Sequence, residues 1–142
     1  MKLDINDVYN EYLHMTYRQR KEEAIVSINR MNNFLVECGI EESKRVVFYL
    51  NLTKLFVAAD GKASLQECTF FNDLFGASLS FADFSKMISG GDDKEFVLMM
   101  NKFIDMMDEN AKIGACSYGL LFLSMDQNLT DKEKAVFEYI LK

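Results

Sequence analysis

At 142 residues the chain has the size of one ordinary domain, long enough to bury its own core without a disulfide or metal staple. Hydrophobic residues at 49% and charged residues at 27% exclude a disordered composition, and a net charge of −6 opposes binding to nucleic acid or to an anionic membrane. Residues 51–142 hold 14 of the 22 acids against 9 of the 16 bases, a balance suited to a cation or a basic protein partner.

The chain has no proline and nine methionines, which favours helices joined by short connections. Residues 4–14 read as a short helix with Val8, Tyr12 and Met15 on one face. Residues 18–38 form a longer one: Ala24, Ile25, Ile28, Met31, Phe34 and Leu35 keep the 3.6-residue period, and Gly39 supplies the left-handed stop. The charged run 18–23 reads as a solvated helix face. Over 43–59 the apolar positions are Val46, Val47, Leu50, Leu52, Leu55, Phe56 and Ala59, halted by the turn pair Asp60-Gly61. Ser64-Leu65-Gln66-Glu67 is a capping box that opens the next helix, through Phe70, Phe71, Leu74 and Phe75 to Gly76. Ser80 caps a short helix with Phe81, Phe84, Met87 and Ile88, ended by Gly90-Gly91.

Asp92 and Asp93 complement the dipole at the start of a helix over 94–109, whose stripe of Phe96, Met100, Phe103 and Met107 reads as core. The apolar stretch 114–125 is too short to cross a membrane and contains Ser117, Tyr118 and Ser124, so it belongs to a buried core helix over 113–125. Thr130-Asp131-Lys132-Glu133 is a second capping box, opening a last helix through Val136, Phe137, Ile140 and Leu141. No alternating strand pattern occurs. The expected fold is all-α, a single compact helical domain of about seven to eight helices. Cys38, Cys68 and Cys116 form no CxxC pair and read as reduced, mostly buried thiols of a cytoplasmic protein. The polar N-terminus does not read as a signal peptide, and membrane insertion is not expected.

The two capping boxes belong to a weak internal duplication at an offset of about 66 residues, read by aligning the two segments. Leu55-Phe56, Asp60, Ser64, Glu67 and Phe71 fall against Leu121-Phe122, Asp126, Thr130, Glu133 and Phe137. Each copy is a helix, an acidic turn and a capped helix. Asp60, Glu67, Asp126 and Glu133, with the hydroxyls of Ser64 and Thr130, are candidate oxygen ligands for a divalent cation, calcium or magnesium. The competing reading is local: capping-box glutamates bond the N-cap N–H, and aspartates are common in turns. An EF-hand is excluded, because placing Glu67 at loop position twelve puts Phe56 and Ala58 at positions one and three.

Ala59-Asp60-Gly61-Lys62 with Ser64 to Glu67, followed by a degenerate second unit, resembles the tellurite-resistance TerB-like domain family. The resemblance covers 43–142 as a duplicated core, leaving 1–42 as a helical pair packed on it. It implies an all-helical, non-enzymatic accessory domain of a bacterial stress- or phage-related system, with an acidic cluster for a divalent metal. Gln127 stands where the family has glycine in the second unit.

Enzyme motifs are wanting. His14 is the sole histidine, so the Glu11-x-x-His14 pattern cannot build a di-iron centre. No phosphate loop or GxGxxG is present, and Ser117-Tyr118-Gly119 lacks the strand that a nucleophile elbow needs. The alternative to a cation-binding module is a metal-free protein–protein interaction scaffold, docking through its acidic face or through methionine and phenylalanine side chains between Phe96 and Met107.

Overall fold

Most helices begin where the sequence supplies an oxygen for the first free N–H groups. Asp4, Thr16, Ser64, Ser80, Asp93, Asp108 and Thr130 each accept from a backbone N–H two or three residues ahead. The computed structural model describes residues 3–60, 63–126 and 129–142, with Asp60 and Asp126 described by their backbone alone. These residues form α1 (Ile5–Leu13), α2 (Tyr17–Glu37), α3 (Glu42–Val57), α4 (Leu65–Phe75), α5 (Phe81–Ile88), α6 (Lys94–Met106), α7 (Glu109–Leu123) and α8 (Asp131–Ile140). Single 3-10 turns, Ala58–Asp60 and Ser124–Asp126, continue α3 and α7. No strand occurs among the described residues, and the chain is all-α.

Two boundaries differ from expectation for one reason. The helix expected over 94–109 ends at Met106, because Asp108 turns back to accept from Ala111 N–H at 2.8 Å and starts α7 four residues before residue 113. Asp108 was hidden by the apolar rhythm on either side of it.

α7 is the axis of the molecule. From Gly114 through Leu123 every residue is buried, as a helix apolar on all sides requires. α1, α2, α3 and α8 pack around it, and α2 forms its most extensive contact. Gly114 makes that contact possible: a Cβ there would lie 2.8 Å from Ser27 O and 3.0 Å from Arg30 Cβ. Gly39 stops α2 at φ 76°. Met100 and Met107 are buried and Phe96 and Phe103 partly so, as expected of a core stripe. Ile25, Val46 and Val47 are exposed instead, and Phe48 and Tyr49 take the core face of α3. Cys68 and Cys116 are buried, whereas Cys38, just past α2, is exposed. None of the helices, among the described residues, is long and apolar enough to cross a membrane.

Candidate functional site

The duplication appears in the structure as two corners with the same local plan. At each, a helix runs into one 3-10 turn and a capping box then starts the next helix: α3 to α4 at the first corner, α7 to α8 at the second. Ser64 N–H donates to Glu67 Oε1 at 2.7 Å and Glu67 N–H to Ser64 Oγ at 3.2 Å. Thr130 N–H donates to Glu133 Oε1 at 2.9 Å and Glu133 N–H to Thr130 Oγ1 at 3.2 Å. Both capping carboxylates are withdrawn from water, Glu67 at 0% and Glu133 at 5% exposure.

The two units grip one another through aromatic rings. Phe56 of the first unit stacks on Phe137 of the second at 4.8 Å, and Phe122 of the second meets Phe70 of the first edge-on at 4.9 Å. Each leading helix thus packs on the other unit's capped helix, a reciprocal arrangement consistent with an approximate twofold relation.

Among the candidate ligands, the structure joins Glu67 to Ser64 and Glu133 to Thr130. The side chains of Asp60 and Asp126 lie outside the described residues, as do Gly61, Lys62 and Gln127. Among the described residues, no three His, Cys, Asp or Glu side chains gather to hold a metal. The donors present, two carboxylates and two hydroxyls, are hard oxygens of the kind calcium and magnesium take.

The corners differ in what closes them. At the first, the backbone of Gly91 presses on the end of α3: a Cβ at Gly91 would lie 2.5 Å from both Ala58 Cβ and Lys54 O. At the second, the Arg20 guanidinium enters from α2. It donates to Leu121 O at 2.6 Å, to Ser124 Oγ, and to Tyr12 O at 2.8 Å, tying the ends of α7 and α1 together. Arg20 is 5% exposed, so the run 18–23 is not wholly a solvated face. Its position was readable in hindsight: 20, 24, 27, 31, 34 and 35 share one side of α2, and all six are buried. Three buried acceptors at the ends of α7 and α1 draw it inward despite its charge.

Burial pushes the Cys116 thiol up to about 12 and also raises Cys68, which keeps both protonated and poorly nucleophilic near neutral pH. His14, at the end of α1, is exposed. On the far side, an apolar groove of about 250 Å³ between α3 and α6 is lined by Val47, Phe48, Met99, Met100 and Phe103. Val47, Leu98, Met99 and Met106 are all exposed on these two helices. Comparison of the chain with family models, with curated proteins and with solved structures finds no match.

Proposed function

We propose that this chain is a non-enzymatic accessory module of the TerB-like kind whose capped corners take a divalent cation, calcium or magnesium. Glu67 and Glu133 are the principal ligands in this reading, Asp60 and Asp126 are the further carboxylates, and Ser64 and Thr130 add hydroxyls. The resemblance that suggests it also implies a bacterial stress- or phage-related system, and the unpaired cysteines Cys38, Cys68 and Cys116 favour a cytoplasmic setting; a protein partner belongs to the same reading.

The supporting observation is the burial of both capping glutamates. A capping box asks only that the carboxylate reach back to one N–H, which a solvated side chain also does. Withdrawing the carboxylate from water raises the cost of its charge and strengthens its attraction to a cation. The same feature recurs at two equivalent positions, which a single accident of packing does not produce. A bound cation would brace each turn against its capped helix.

The test is thermal unfolding of chelator-treated protein with added calcium or magnesium, set against Glu67→Gln/Glu133→Gln. Glutamine keeps the capping acceptor and removes only the charge. A cation at 100 times its Kd adds about 2.7 kcal/mol of stability. The expected result is a cation-specific rise in Tm that the double variant loses. No rise up to millimolar cation would reduce the glutamates to caps.

The exposed apolar side chains of α3 and α6 favour a second reading, a metal-free protein–protein interaction scaffold. On that reading Leu98→Ser/Met99→Ser leaves Tm unchanged and weakens association in light scattering. Unchanged association would count against it.

A further inference from the structure

A separate pocket of about 400 Å³ opens where the end of α1, the start of α2, the start of α4 and the second corner meet. Its surface is mainly apolar, with Leu13, Leu65 and Met125 among its walls, Gln66 and Thr69 beside them, and Arg20 as the one cationic lining residue among the described residues. Pockets that hold small molecules have this character, a concave apolar volume of roughly 300–1,000 Å³ with a few polar groups that fix orientation.

Arg20 gives this pocket its chemistry. A buried cation is costly unless an anion or a full set of acceptors compensates it. The acceptors here are neutral: two helix-end carbonyls and one hydroxyl. No carboxylate among the described residues forms an ion pair with it. Burial lowers its pKa from the ordinary value. A guanidinium carries five N–H donors, and three are matched above. Nε–H and one Nη2–H remain without an acceptor among the described residues. The negative ends of the α1 and α7 dipoles offset part of the charge but do not neutralise it.

We propose that this pocket binds a small apolar monocarboxylate, with the carboxylate on the remaining donors of Arg20 and the apolar body along Leu13, Leu65 and Met125. A planar carboxylate accepts two parallel N–H bonds from guanidinium, a match that neither an alcohol nor an amine provides. The apolar walls select for a hydrocarbon body over a hydrated inorganic anion. The site involves neither capping glutamate and stands apart from the cation reading.

The probe is octanoate, below its micelle concentration, titrated calorimetrically into chelator-treated full-length protein, with octanol and octylammonium as isosteres. Arg20→Met removes the anchor but also uncaps two helices, so the decisive variant is Leu65→Glu. Leu65 is 63% exposed at the first position of α4, where an acid suits the helix dipole and the fold is untouched. The expected result is one octanoate per chain, bound at least tenfold more tightly than octanol or octylammonium, and weakened at least tenfold by Leu65→Glu at unchanged Tm. Amide shifts on titration should centre on Leu13, Thr69 and Met125. Equal binding of octanol would overturn the assignment, as would no binding at millimolar octanoate or indifference to Leu65→Glu.

Discussion

The two corners share a local plan, and neighbouring chain closes each in a different way. The first, at the end of α3, is shut by a close approach of backbone, with Gly91 lying where no side chain fits. The second, at the end of α7, is shut by a side chain, with Arg20 reaching across from α2. Ala58 and Ser124 occupy equivalent places, and they record the difference: a methyl group meets Gly91, and a hydroxyl accepts from Arg20. A duplicated unit keeps what its local geometry needs, the 3-10 turn and the capping box. Its outer contacts follow whichever segment lies beside it.

Substitution can break this comparison in graded steps. Arg20→Met should cost the most. It strips donors from the buried carbonyls of Leu121 and Tyr12, each worth about 1–3 kcal/mol when left unsatisfied, for a total of about 3 kcal/mol. At this chain length that lowers Tm by roughly 10 °C, measured by calorimetry. A loss under about 1 kcal/mol would mean that the second corner is held by its own turn and not by α2.

Gly91→Ala comes next, at about 2 kcal/mol, because the added methyl must displace backbone and Ala58 together. A neutral outcome would show that the first corner is open to adjustment. Ser64→Ala and Thr130→Ala should each cost about 1 kcal/mol, read from denaturant midpoints. Here the comparison predicts equality, since the capping boxes are alike at both corners. Markedly unequal losses would show that the outer contacts reach into the box. Ser124→Ala removes one acceptor of Arg20 and should cost less than Arg20→Met, about 1 kcal/mol.

Much of the architecture was legible because it is written locally. The caps at Ser64, Ser80 and Thr130, the stop at Gly39 and the all-buried character of residues 114–123 depend on hydrogen bonds and periodicities a few residues long. The boundary between α6 and α7 was missed because one capping aspartate, Asp108, sits inside a continuous apolar rhythm. Val46 and Val47 fit the period of α3, yet Phe48 and Tyr49 won its core face. Which side of a helix turns inward depends on the partners available, and those are not local.

Of the candidate site, the sequence determined the two capping boxes, because Ser or Thr followed three residues later by Glu closes a reciprocal pair of bonds wherever a helix begins. Tertiary structure alone decided that Glu67 and Glu133 would be buried, that Phe56 would stack on Phe137, and that Arg20 would leave its charged run for the interior. The physical reason is distance along the chain. Arg20 and Leu121 are 101 residues apart, and only the packing of α2 against α7 brings a donor to that carbonyl.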